Sequence, residues 1–222
     1  MSIVLVIIGL IVSGVLVGKD LVQTSRLNQT VQEMQQVQSS FTLFDSKYGY
    51  LPGDYLIAKT TWPSCASDCN GNGDRRISNG QETRWVWEHL ALAGMIAGGY
   101  KGAWGTPKER GVMLFPSEYN KKAGYNSYYD GNRLYGMASN VVVLASSSPT
   151  STGWQAGTVS AKDAYDIDKK IDDGSPGRGK IRVRAGYNAV ASSWYATANC
   201  RDAQGYVISN NDAHCTLGYY MD

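Results

Sequence analysis

The sequence predicts an α+β protein, in which a long N-terminal α-helix is packed against a globular head with a small antiparallel sheet. Three observations predict it. The run from Met1 to Gly18 holds no charged residue, and Lys19 is the first. From Leu21 the chain turns polar but keeps an apolar stripe through Leu27, Val31, Met34, Phe41 and Phe44, whose steps of three and four, or their sums, mark one helix face. Beyond residue 110, short apolar runs lie among glycine-rich segments, as strands do.

No proline interrupts Met1 through Lys47, Gly49 supplies a stop, and Pro52 follows. The apolar run and the amphipathic stripe therefore form one helix over residues 1–48, about 70 Å long at 1.5 Å per residue. Its first eighteen residues sit at the lower limit for spanning a bilayer. No basic segment precedes them and KDLVQTSRLNQT follows, which excludes the pattern of a cleavable signal. Gly9, Gly14 and Gly18 have two readings, close packing between helices or local melting where glycine makes unwinding cheap.

Composition narrows the function classes. A 222-residue chain with 43% hydrophobic and 18% charged residues folds, so wholesale disorder is excluded. Lysine and arginine total 21 against 19 acids, and a net charge of +2 makes no bulk case for a nucleic-acid partner. Two histidines exclude a His-rich metal centre. Four cysteines in two separated pairs predict disulfides in an oxidising compartment, with a four-cysteine zinc site as the rival. C-x3-C and C-x14-C spacings fit zinc ribbons badly. Of the three possible pairings, Cys65–Cys69 with Cys200–Cys215 is favoured.

The head, residues 49–222, opens with a candidate calcium loop over 65–82. Asp68, Asn70, Asn72 and Asp74 alternate with Gly71 and Gly73, placing oxygen donors at every second position where a hard cation needs six to eight. Counted from Asp68, EF-hand positions 1, 3, 5 and 6 match, but position 12 is Asn79, and Glu82 is the substitute acid three residues on. An ordinary Asn/Gly turn cluster is the bland alternative. Thr83 to Ala97 then predicts a helix ended by Gly98-Gly99, with His89 as a packed or surface side chain rather than a ligand or base. Val112–Phe115 and Val141–Leu144 predict strands. Residues 146–160 predict a polar loop suited to O-glycosylation. Ser160 is the N-cap of a short helix with Asp163 three residues on, and Asp172-Asp173-Gly174 closes it, read as a turn with a second cation site at the aspartate pair as the rarer alternative. Lys180–Ala185 alternates basic and apolar, a half-buried strand with a basic outer face. No Ser/His/Asp set, phosphate loop or metal triad stands out, so an enzyme is not expected.

The segment SIVLVIIGLIVSGVLVGKDL resembles the N-terminal helix of type IV pilins and type II secretion pseudopilins. The stretches Lys47 to Asp54 (KYGYLPGD) and Ile167 to Gly174 (IDKKIDDG) resemble recurring elements of bacterial prepilin-type proteins. Family members carry a basic leader, a processing glycine and a Phe-x-Leu-Ile-Glu-Leu stretch. Met1 stands where the last leucine of that stretch would be, so those elements are expected upstream of it. The resemblance implies a pilin-like fold whose C-terminal region is bounded by a Cys200–Cys215 bridge. It also implies a structural filament subunit that assembles as a homo-oligomer through Ile3, Ile7, Gly9, Val12, Gly14, Leu27, Val31 and Met34. Such a subunit waits in the bacterial inner membrane, engages a pilus or secretion assembly machinery, and ends in an extracellular pilus or periplasmic pseudopilus. The alternatives are a signal-anchored exported binding domain of adhesin or lectin type, or a minor pseudopilin or DNA-uptake pilin.

Overall fold

A computed structural model describes residues 2–65, 68–78, 80–102, 110–131, 135–146, 155–188, 191 and 193–221. Asn79 and residues 147–154 of the polar loop lie outside these. Helix α1 runs Ser2–Tyr48 without a break. A four-residue helix α2, Ala58–Thr61, and helix α3, Glu82–Leu92, follow. Strands β1 (Phe115–Pro116), β2 (Ala123–Tyr129) and β3 (Asn140–Ser146) precede helix α4 (Ala161–Ile171). Strand β4 (Ile181–Ala185), a small hairpin of β5 (Tyr187–Asn188) and β6 (Ser193–Trp194), a 3-10 turn at Thr197–Asn199 and strand β7 (Cys215–Tyr220) complete the chain. The main sheet has the order β1-β2-β3-β7-β4, antiparallel throughout.

The second half of α1 docks on the head through a face wider than its apolar stripe. Leu27, Met34, Val37, Phe41 and Phe44 are buried, Val31 is half-buried, and Thr30, Glu33 and Ser40 are buried among them. Glu33 is tolerated there because its carboxylate accepts from Ser117 Oγ at 2.7 Å, Glu118 N at 3.0 Å and Tyr125 OH at 3.0 Å. The serine and threonine hydroxyls bond carbonyls one turn back, at Arg26 and Gln36. Phe44 closes the lower core, with Tyr48, Tyr55, Trp62 and His89 rings around it at centroid distances of 4.7–6.2 Å.

Two sequence expectations are corrected here. Helix α3 stops at Leu92 rather than Ala97, because Gly94 takes φ +73 and the Gly94 and Met95 amides bond back to Ala91 and Leu90, a left-handed cap. Val112 and Met113 form a turn, Leu114 forms an isolated bridge with Arg110, and only Phe115–Pro116 pairs with the sheet. Strands β2 and β7 escape an alternation test because nearly every residue in them is buried. The sheet has cores on both faces: Val142 and Leu144 meet the helices, while Val141, Val143 and Ala145 join Tyr128, Tyr135 and Tyr220. The α4 cap forms as expected, with the Asp163 amide donating to Ser160 Oγ at 3.1 Å.

Replacing Phe44 by Ala should cost about 3–5 kcal/mol, and replacing Ser160 by Ala about 1 kcal/mol, in guanidinium unfolding of the full chain in detergent. Equal and negligible losses would contradict this core.

Candidate functional site

The first half of α1 is bare. Ile3, Ile7 and Val12 are 76%, 50% and 53% exposed, and no residue of its most apolar window is buried. The helix is long and apolar enough to cross a membrane. So large a continuous apolar surface marks contact with lipid or protein, since ordinary soluble surfaces scatter such residues singly. A Cβ added at Gly9, Gly14 or Gly18 would meet nothing within 4 Å, so nothing within the described chain requires these glycines. Ser13 satisfies its hydroxyl within the helix by donating to the Gly9 carbonyl at 2.6 Å. The eight residues expected on the assembly helix therefore divide. Ile3, Ile7, Gly9, Val12 and Gly14 are free of the head, whereas Leu27 and Met34 are buried in it and Val31 lies half-buried against it.

The loop at 65–82 folds around carboxylates. Asp54, which sequence reasoning did not place at the site, is fully buried and accepts from the Gly73 amide at 2.6 Å and the Arg75 amide at 2.7 Å. Glu82, also buried, accepts from the Asn72 amide at 2.9 Å and the Ser78 amide at 2.6 Å. Oxygens of Asp54, Asp74 and Glu82 approach within 4.8 Å of one another. Burial raises the Asp54 and Glu82 pKa values, against the lowering pull of those amides. Of the other expected ligands, Asn70 Oδ1 accepts from the Lys59 amide and Asn72 Oδ1 from the Asp74 amide, while Asp68 is exposed and not among the clustered carboxylates. Gly71 presses so closely on Asp54 that an added Cβ would lie 2.3 Å from its Cα, which only glycine permits. The one available signal for Asp54 was the KYGYLPGD stretch it ends, but its distance from the Asp/Asn run hid the contact.

The loop also ties the helix to the sheet. The Arg75 guanidinium makes two bonds to Asp45 on α1, at 2.8 and 3.0 Å, while its backbone holds φ 62, an uncommon value for a residue with a side chain. The Ile77 amide donates to Asn140 Oδ1 on β3, and Asn140 Nδ2 returns a bond to the Arg75 carbonyl.

His89 is fully buried and acts as a structural link. The Gly53 amide donates to its Nδ1 at 2.9 Å, so Nε2 carries the proton and donates to the Cys69 carbonyl at 2.9 Å. Burial pushes its pKa down to about 4. Cys65–Cys69 and Cys200–Cys215 are both bridged, the sequential pairing. The basic face of β4 is engaged within the head: Arg182 lies over Tyr220 and bonds the Tyr135 carbonyl, and Arg184 stacks 3.8 Å over Trp194. No known protein family, curated protein or solved structure matches this chain.

His89 should stay neutral until about pH 4 in an NMR titration of its ring, against an ordinary value near 6.5. A folded pKa below the unfolded one means its contribution, on the order of 3 kcal/mol, is full above about pH 6.5 and lost as pH falls through about 4. His89→Gln should therefore flatten the acid side of the unfolding profile relative to wild type. A ring that titrates near 6.5 in the folded protein would overturn the assignment.

Proposed function

We propose that this protein is a structural subunit of a type IV pilus-like filament, exported from a bacterial cell, rather than an enzyme. The observation that carries the reading is the division of α1. One unbroken helix docks residues 27–44 on the head and leaves residues 3–17 as a bare apolar rod. An anchor for an exported enzyme needs only the apolar part. A filament subunit needs both, because the docked half fixes the rod's direction relative to the head and the bare half is the surface that identical subunits share. Before assembly the same rod sits in the inner membrane, where its length suits the bilayer. Transfer from lipid to a bundle of like helices exchanges one apolar surroundings for another, so close packing favours it, and the unobstructed Gly9, Gly14 and Gly18 are suited to close approach. The assembled form is a homo-oligomeric pilus or periplasmic pseudopilus, built by a secretion-type assembly machinery, with no role for nucleic acid.

Within this reading the 65–82 loop takes calcium through the carboxylates of Asp54, Asp74 and Glu82, of which Asp74 belongs to the alternating run. The amides already held by Asp54 and Glu82 do not exhaust a carboxylate, which offers about four lone-pair sites. Charge at this loop bears on assembly because Arg75 joins it to α1 through Asp45.

Ile7→Asp or Val12→Asp should abolish fibres in electron microscopy of sheared cell-surface material, while the head keeps its melting temperature. Normal fibres from both variants would overturn the filament reading. A wild-type chain that stays monomeric in the membrane and forms no fibres would favour the signal-anchored binding domain. Calcium should raise the melting temperature relative to chelator, and Asp74→Asn should reduce that gain. An Asp74→Asn gain equal to the wild-type gain would remove calcium from this loop.

A further inference from the structure

A second group of carboxylates lies where α4 ends. Oxygens of Asp168, Asp172 and Asp173 lie within 4.8 Å of one another. Each carboxylate commits an oxygen to a bond that orients it. Asp168 Oδ2 accepts from Tyr206 OH at 2.7 Å, Asp172 Oδ2 from the Lys180 amide and from the Ile181 amide at 3.2 Å, and Asp173 Oδ1 from the Ser175 amide at 2.8 Å.

What distinguishes this group from the 65–82 loop is an orphan. Asp168 is fully buried, yet its Oδ1 has no hydrogen-bond partner. The Gly174 amide lends the carboxylate partial support, but no hydrogen bond to Oδ1 forms. A buried carboxylate oxygen left unpaired is costly, and native proteins fill such positions with a donor, a water or a cation. Three lysines of α4 are engaged elsewhere. Lys169 lies over the Tyr165 ring, Lys170 bonds Asn28 on α1, and Lys162 pairs with Asp166. Among the described residues no lysine or arginine forms an ion pair with any of the three aspartates. The end of an α-helix adds its own partial negative charge at this point. Burial first, and the charges of Asp173 and Asp172 after it, push the Asp168 pKa up to about 6.

We propose that Asp168, Asp172 and Asp173 form a binding site for a hard divalent cation, calcium being the best match, at the C-terminal end of α4. All the donors are oxygens, which suits calcium and excludes a soft metal, and water completes the shell. The site joins three parts of the head. Asp168 belongs to α4, Asp172 holds the start of β4 through two amides, and Tyr206 lies in the segment closed by Cys200–Cys215. A bound cation thus locks the C-terminal loop to the helix that packs on α1. The turn expected at Asp172-Asp173-Gly174 is present, and the proposal assigns it this further role.

The test is calorimetric titration of the full chain in detergent micelles with calcium chloride, on wild type, Asp173→Asn and Asp74→Asn. Asp173→Asn keeps an acceptor for the Ser175 amide, so it removes charge with little change in the turn. It should weaken one calcium equivalent by about tenfold or more, an equivalent that Asp74→Asn leaves intact. Asp168→Asn is the second variant. It relieves repulsion in the empty site, so its melting temperature in chelator should match or exceed wild type while this calcium-dependent gain disappears. A wild type that takes up no calcium, or an Asp173→Asn that titrates like wild type, overturns the proposal. The inference does not rest on the filament reading: calcium uptake lost in Asp173→Asn would stand even if no fibres form.

Discussion

Everything in this molecule depends on the docking of the second half of α1. A helix of 47 residues with half its surface apolar has no stable place in water by itself. Burial of Leu27, Met34, Val37, Phe41 and Phe44 gives it one, and in doing so supplies the head with its central core element. Phe44 is the floor of an aromatic cluster that includes His89, and His89 in turn holds Gly53 and Cys69. Glu33 reaches the sheet through Tyr125 and the loop before β2 through Ser117. Remove the helix and the sheet loses a face, the 65–82 loop loses Asp45, and the buried carboxylate partners lose their reason to be buried.

The same docking makes the bare half consequential. Because α1 is continuous, the apolar rod is held in a definite direction from a folded head instead of on a flexible tether. The direction of the rod is then set by the packing of the same helix on the head, a defined relation of the kind a repeating assembly uses. A tethered anchor carries no such information.

The two acidic groups show how similar residues reach different ends. At the 65–82 loop, backbone amides converge on Asp54 and Glu82, so the carboxylates organise the turn whether or not a cation is present. At the end of α4, one buried oxygen of Asp168 receives no donor, and Lys169 and Lys170 bond elsewhere. Counting acids does not separate these cases. Counting the donors that meet them does.

The sequence by itself determined the long helix, because an apolar run followed by a period-3.6 stripe without proline is a local property of the chain. It determined the Ser160 cap and the alternating strand Ile181–Ala185 for the same reason, but it only favoured the sequential cysteine pairs among three possible pairings, which the tertiary structure decided. It did not reveal β2 or β7, since strands buried on both faces lose alternation, and it overran α3 because helical periodicity continued past the glycine that stopped it. The candidate site was half legible: Asp74 and Glu82 belonged to a recognisable run, whereas Asp54 did not. Only the tertiary structure decided which oxygens converge, which are met by amides and which stay unpaired. Those outcomes depend on how segments distant in sequence pack, and the orphaned oxygen of Asp168 exists only once α4, β4 and the Tyr206 loop are brought together.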